Sequence, residues 1–405
     1  MVKALLLENI HPLGTEMLEA AGMEVVTRSG GLDEDELIAA LSGVQVLGIR
    51  SKTQITSRVL SSAPDLLAIG AFCIGTNQID LQAAGQAGVV AFNAPFSNTR
   101  SVVELALAEI IALTRRLTEK DKSLHAGVWD KSANGSHEVR GRTLGIVGYG
   151  NIGTQLSVVA EALGMRVVFY DTAEKLALGN ARRMPSLHAL LAEADVVTLH
   201  VDGRPGNAGM FGAGEFAAMK QSAIFLNLSR GFLVDYSALR AEVLGGRISG
   251  AAVDVFPEEP KSQGDPFDSE LRDLPNVILT PHVGGSTEEA QQDIGRFVAA
   301  KLRDYVNAGT TALSVNVPAL ILDHPSAGSQ RIAHLHQNVP GVMAAANQEL
   351  SDAGANIESQ VLATAGSLGY AVTDVSGDLS ADTVARIESM DATVRLRTLH
   401  PAVSD

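Results

Sequence analysis

Apolar and polar residues alternate along this chain in blocks of strand length and helix length. In the first hundred residues the apolar runs Ala4–Leu7, Val44–Ile49, Leu66–Ala71 and Val89–Phe92 are bounded by turn formers. Amphipathic stretches Thr15–Ala21, Asp33–Leu41 and Asp80–Gly85 lie between them. Strands that alternate with helices predict parallel βαβ units. Ser101 and Glu104 have the spacing of a capping box and open a predicted long helix from Val102 to about Leu124. Residues 127–141 are polar and irregular apart from Trp129.

A second series follows: Leu144–Val147, Val167–Tyr170, Val196–His200, Ala223–Leu228, Gly250–Val255 and Val277–Thr280. These continuous apolar runs suit strands buried on both faces. Ser286 with Glu289 repeats the capping-box spacing and predicts a helix to about Asn307. Two long helices that bracket one α/β series predict an insertion, with one domain from 1–97 and 285–327 and a second from 98–284. Residues 318–330 read as a linker. Beyond it, the order β-α-β-β-α-β over 328–405 is that of a ferredoxin-like module.

Chemistry enters at Gly148-Tyr149-Gly150-Asn151-Ile152-Gly153, directly after a predicted strand and before a helix. With 39 glycines in the chain the spacing alone is weak evidence, but Asp171 closes the next strand, 18 residues beyond Gly153. Glycines bring backbone close to a pyrophosphate, and the helix start offers free N–H groups. A carboxylate at the second strand end accepts from ribose hydroxyls and repels a 2′-phosphate, so the cofactor is predicted to be NAD, not NADP.

Hydride chemistry on a carbinol needs a base for the hydroxyl proton and a cation for a substrate carboxylate. Arg230, Glu259 and His282 lie at predicted C-terminal strand ends, where ligands of open α/β sheets gather. Taken singly, each reads better as a surface cation, a turn-capping carboxylate and a solvated loop histidine, and spacing alone does not show that the three converge. A carboxylate beside an imidazole raises the imidazole pKa.

Composition narrows the classes. Lys and Arg number 31 against 46 Asp and Glu, a net charge of −15 without a basic block, which argues against a nucleic-acid surface. A single cysteine, Cys73, excludes an internal disulfide and a thiolate zinc cage, and no metal site is expected. No apolar run reaches the roughly 18 residues of a membrane helix. The expected setting is the cytoplasm, with no membrane partner.

The segments Phe72–Asn77, Asn93–Val102, Gly145–Gly153, Asp254–Pro260 and Thr280–Thr287 resemble the D-2-hydroxyacid dehydrogenase family, in its bacterial branch with a C-terminal ACT domain. The resemblance covers almost the whole chain. It implies a Rossmann-type NAD-binding domain inserted into a flavodoxin-like substrate-binding domain, followed by the ferredoxin-like ACT domain. It also implies Arg230, Glu259 and His282 as the catalytic set. Leu228, Ser229, Asp254, Gly284 and Gly285 join Gly148, Gly150, Asn151, Ile152, Gly153 and Asp171 around the cofactor.

The implied reaction is NAD-dependent oxidation of 3-phospho-D-glycerate to 3-phosphohydroxypyruvate, the first step of L-serine biosynthesis, with reduction of 2-oxoglutarate as a second activity. Arg50 and Lys52 are the expected phosphate ligands, and Ile74, Gly75, Thr76 and Asn77 supply neutral donors. In the tail, His336, Asn338 and Asn356 match the residues with which such enzymes bind serine as a feedback inhibitor across a subunit interface. The family also implies a homotetramer. Another D-2-hydroxyacid dehydrogenase, or an NAD-sensing binding protein with little turnover, remains an alternative.

Overall fold

The computed structural model describes residues 1–260, 264–322 and 328–399. Contacts divide the chain into two units, Met1–Pro95 with Gln291–Asp405, and Phe96–Ala290.

In the first unit, strands β1 (Lys3–Leu6), β2 (Glu24–Thr27), β3 (Val46–Ile49), β4 (Ala68–Ala71) and β5 (Val90–Asn93) form a parallel sheet in the order β2-β1-β3-β4-β5. This is the flavodoxin-like order. β2 escapes a hydrophobicity reading because it is an edge strand, paired only with β1 and mostly exposed. The two faces of the sheet are covered by separate apolar clusters, one built on Leu47, Ile49, Val59 and Ile69, the other on Leu6, Phe92, Val298 and Leu302.

In the second unit, β6 (Thr143–Val147), β7 (Arg166–Tyr170), β8 (Arg182–Arg183), β9 (Val196–Leu199), β10 (Ala223–Asn227), β11 (Ile248–Val253) and β12 (Val277–Leu279) form a parallel sheet ordered β12-β11-β10-β9-β6-β7-β8. The strand order reverses between β6 and β9, so loops there diverge to opposite faces and leave a crevice at the strand C-termini. β8 is a two-arginine edge strand that periodicity does not reveal.

The tail forms β13 (Ser329–Gln337), β14 (Ile357–Ala365), β15 (Leu368–Ser376) and β16 (Thr393–Leu399), antiparallel in the order β14-β15-β13-β16, with helices Val342–Asp352 and Ala381–Glu388. The helices cover Ile332, Val375 and Leu396. Ala333, Leu335, Tyr370, Val372 and Leu399 instead share a core with Leu302 and Tyr305 of the first unit's long helix. Arg331 lies buried in a two-point ion pair with Asp374, at 2.6 and 2.8 Å.

Three local expectations are corrected. The long helix predicted from Val102 begins at Thr99 and stops at Thr114, because Arg116 takes a left-handed conformation (φ 52°) before a separate helix, Leu117–His125. Ser101 is therefore inside the helix, where its hydroxyl pairs with Thr287 instead of capping. The last long helix, Glu288–Ala308, is capped not by Ser286 but by Thr287, whose hydroxyl accepts from Ala290 N–H. Of the expected linker, Ser329 and Gln330 are buried in β13, and 323–327 lie outside the described residues.

Candidate functional site

The nucleotide motif occupies the turn after β6. Gly148 has φ 93°, and a Cβ there would lie 2.5 Å from the carbonyl oxygen of His200; a Cβ on Gly153 would lie 2.3 Å from the carbonyl oxygen of Gly148. Both positions demand glycine on steric grounds. Gly150 faces open space and serves as N-cap of the helix Asn151–Ala162 without a side-chain cap, which leaves the first amides of that helix available. Such a helix start suits an anionic pyrophosphate. Asp171 at the end of β7 accepts from Tyr149 N–H and Ala173 N–H, both at 2.8 Å, so its carboxylate is held beside the glycine turn. The donors and the carboxylate fit NAD. Arg183 of β8 donates to the carbonyls of Asp171 and Ala173, a cation beside this carboxylate that motif reading did not find.

Arg230 follows β10 in a turn braced by buried polar groups. Asn227 Nδ2 donates to the Arg230 carbonyl and to Tyr236, and Ser229 Oγ donates to the Leu199 carbonyl at 2.6 Å. Leu228 and Ser229 are buried. The Arg230 side chain lies along Gly203, where a Cβ would come within 3.2 Å of its Nε. Asn227 and Tyr236 carry no motif signature, and only the fold reveals their bracing role.

Glu259 and His282 meet although 23 residues separate them: His282 Nδ1 lies 2.9 and 3.1 Å from the two carboxylate oxygens. Both side chains are partly exposed. Burial by itself would raise the Glu259 pKa, but the hydrogen bond and charge of His282 bring it below the ordinary value. The hydrogen bond that His282 donates to Glu259 raises the His282 pKa against the opposing effect of burial.

The loop that carries His282 is organised by Asp254. This buried carboxylate accepts from Thr280 Oγ1 at 2.6 Å, Val283 N–H at 2.8 Å and Gly284 N–H at 2.8 Å. His282 itself has φ 55°, an uncommon conformation for a side-chain-bearing residue that these bonds hold in place. Gly285 lies against Asn98, so close that a Cβ would fall 2.1 Å from Nδ2.

The first unit brings Arg50 and Lys52 together with Ile74–Asn77 at the ends of β3 and β4. Gln78 Nε2 donates to the carbonyls of Arg50 (2.6 Å) and Gly75 (3.2 Å), and Asn93 Nδ2 donates to the Ile74 carbonyl at 2.6 Å. Buried Glu8 accepts from Lys52 N–H and Thr53 N–H. Gln78, Asn93 and Glu8 were invisible to motif reading because they act on backbone.

In the tail, His336 ends β13 opposite Gly369, and Asn338 donates to the Gly366 carbonyl. His336 is buried, and its Nε2 lacks a partner among the described residues. Asn356 is not with them. Its carbonyl accepts from Ser376 N–H, at the other end of β15 from Gly369. Seven residues of strand, roughly 23 Å at 3.3 Å per residue, separate the two ends.

Residues 107–284 match the model of the D-isomer specific 2-hydroxyacid dehydrogenase NAD binding domain, and 332–394 match the AHAS small subunit-like ACT domain. The chain is 46% identical to D-3-phosphoglycerate dehydrogenase of Haemophilus influenzae over 400 residues, 98% of this chain and 97% of that one. It is 47% identical to D-3-phosphoglycerate dehydrogenase 1 of Saccharomyces cerevisiae, over 93% of this chain and 82% of that one. A solved D-lactate dehydrogenase of Aquifex aeolicus, complexed with NAD and lactic acid, superposes with TM-score 0.67 at 25% identity, over 75% of this chain and 95% of that one. The chain belongs to the D-3-phosphoglycerate dehydrogenases, NAD-dependent oxidoreductases of the D-isomer-specific 2-hydroxyacid dehydrogenase family.

Proposed function

We propose that this chain oxidises 3-phospho-D-glycerate to 3-phosphohydroxypyruvate with NAD, the entry to L-serine synthesis, and reduces 2-oxoglutarate as a second activity. The observation that carries the reading is the His282–Glu259 pair beside a turn that presents Arg230. Bound NAD would supply the hydride acceptor for C2 of the substrate. Arg230 holds the C1 carboxylate with its planar fork and polarises the C2 oxygen. Glu259 fixes the His282 tautomer with the proton on Nδ1, which leaves Nε2 to take the C2 hydroxyl proton. In the reverse direction the imidazolium, favoured by Glu259, returns that proton.

Asn151 and Ile152 amides are assigned to the pyrophosphate and Asp171 to the ribose hydroxyls; Asp254, Gly284 and Gly285 shape the nicotinamide end. We assign the substrate phosphate to Arg50 and Lys52, neither of which forms an ion pair with a described residue, with the backbone of Ile74–Asn77 beside them. The test is steady-state assay with 3-phosphohydroxypyruvate, 2-oxoglutarate and glyoxylate. Arg230→Gln should lower kcat/KM by about 10²-fold, the loss of a charge-assisted pair. Equal use of glyoxylate and the phosphorylated keto acid would overturn the phosphate assignment.

Serine is the proposed effector of the tail. His336 and Asn338 stand at one end of the sheet and Asn356 at the other, so one serine can touch all three only if a second chain supplies Asn356. This geometry supports a paired ACT domain within a homo-oligomer, for which the family suggests a tetramer. Asn356→Ala should abolish serine inhibition and spare the uninhibited rate. Inhibition that survives the substitution would remove Asn356 from the effector site. The cytoplasm is the proposed compartment, in keeping with a single cysteine; among the described residues no helix is long and apolar enough to cross a membrane.

A further inference from the structure

The helix Thr99–Thr114 packs over β10, β11 and β12. Its buried face is apolar (Val102, Val103, Ala106, Ile110, Leu113) with one ionisable exception, Glu109, which is 3% exposed. Neither carboxylate oxygen of Glu109 has a hydrogen-bond partner among the described residues. A buried carboxyl without donors is destabilising, and an apolar residue of the same size would avoid that cost.

What lies near it gives the position a meaning. β11 leads into Asp254, the carboxylate that gathers Thr280, Val283 and Gly284 and so shapes the loop of His282. Val102, two turns up the same helix face, approaches Gly284 of that loop. Burial, then the charge of Asp254, pushes the Glu109 pKa up to about 8.

On Glu109 itself, the one charge that acts besides burial is that of Asp254. β10, β11 and β12 contain no ionisable residue. The helix Asn151–Ala162 carries one, Glu161, which accepts from Asn180 N–H. On its own helix Arg100 pairs with Glu104 at the surface, and the helix Leu117–His125 buries no residue. His282 feels the charge of Asp254 as well, and its hydrogen-bond partner is Glu259.

We infer that Glu109 is a positioning residue for the loop that carries His282: a protonated side chain leaves Asp254's hold on the loop intact, and an ionised one loosens it. Two carboxylates in one low-dielectric region repel, and the three donors on Asp254 are the contacts that yield. The inference rests on the assignment of His282 as acid–base, and it adds a pH-dependent control of that residue's position.

The oxidation direction separates the two groups. Loss of the His282 proton makes the rate rise with pH, whereas ionisation of Glu109 makes it fall. We expect kcat/KM for 3-phosphoglycerate to fall above about pH 8, about tenfold one unit past the midpoint. In Glu109→Gln and Glu109→Met, each profile scaled to its own maximum, that fall should disappear. Infrared difference spectra at neutral pH should show a protonated-carboxylic-acid carbonyl band in the parent that both variants lack. Variants that keep the parent's alkaline fall, a parent without such a fall, or a band unaffected by both substitutions overturns the proposal. Failure of the His282 reading looks different, since His282→Ala would then keep the ascending limb.

Discussion

His282 Nδ1 faces both carboxylate oxygens of Glu259, at 2.9 and 3.1 Å, across 23 residues of chain. One ring nitrogen is thereby committed to Glu259 and the other left for chemistry. The hydrogen bond raises the folded pKa of His282, so the imidazolium persists to higher pH than that of a free histidine. In the reduction direction, for which the proposed mechanism uses the imidazolium, activity should be full at low pH and lost as pH rises through that pKa. Glu259→Gln should move this falling limb to lower pH and reduce kcat/KM by about 10²–10⁴-fold, as loss of an orienting carboxylate does elsewhere. The pH profile with NADH and 3-phosphohydroxypyruvate checks both effects; an unmoved limb contradicts the pairing.

Asp171 is the residue proposed to set cofactor choice, and Arg183 would determine what happens when it is removed. Asp171→Ala should weaken NAD by about 1–3 kcal/mol through lost ribose hydrogen bonds. It also deletes the charge that repels a 2′-phosphate beside the Arg183 guanidinium. The ratio of kcat/KM for NADP to that for NAD should rise by more than tenfold. An unchanged ratio takes Asp171 out of the ribose site.

The buried pair Arg331–Asp374 should make the tail intolerant of a single neutral substitution. Arg331 also donates to the Ala308 carbonyl at 3.0 Å, and Ser359 donates to Asp374. Asp374→Asn leaves a buried guanidinium without its counter-charge, a loss of about 3–5 kcal/mol. Chemical denaturation reads it; a change below about 1 kcal/mol, the range of a surface pair, would contradict the burial.

Glu109 should leave its mark on stability as well as rate. Its folded pKa is raised from about 4.5 to about 8, so between those values the folded chain binds more protons than the unfolded chain. Stability attributable to this group is therefore fully present below the unfolded pKa and lost as pH rises toward the folded one, by up to about 1.4 kcal/mol per unit. Glu109→Gln should gain on the parent progressively from pH 5 to 8. Parallel stability curves for the two proteins would refute the raised pKa.

Where a residue's own chemistry writes a local pattern, the sequence was readable. Gly148, Gly153 and Asp171 sit in one strand–turn–helix unit whose spacing is fixed by pyrophosphate geometry, and the strand ends bearing Arg230 and His282 follow from apolar runs. Convergence of Glu259 on His282 is a tertiary fact that no spacing contains. The bracing groups Glu8, Gln78, Asn227 and Tyr236 act on backbone, so any polar residue type would have looked alike in sequence. The caps differ from the expectation at Ser101 and Ser286 for a related reason. A Ser-x-x-Glu pattern permits a capping box but does not place one, and Thr287 and the left-handed Arg116 decide where these helices begin and end. Glu109 was hidden because its neighbours on the helix face are ordinary core residues.

The catalytic role of His282 is tested most directly by two measurements on His282→Ala: NADH oxidation by 3-phosphohydroxypyruvate, and NADH affinity by fluorescence titration. The account predicts turnover reduced by about 10²–10⁴-fold, the usual contribution of a general acid, with NADH affinity nearly unchanged. Turnover that survives, or turnover and affinity that fall by the same factor, would contradict it.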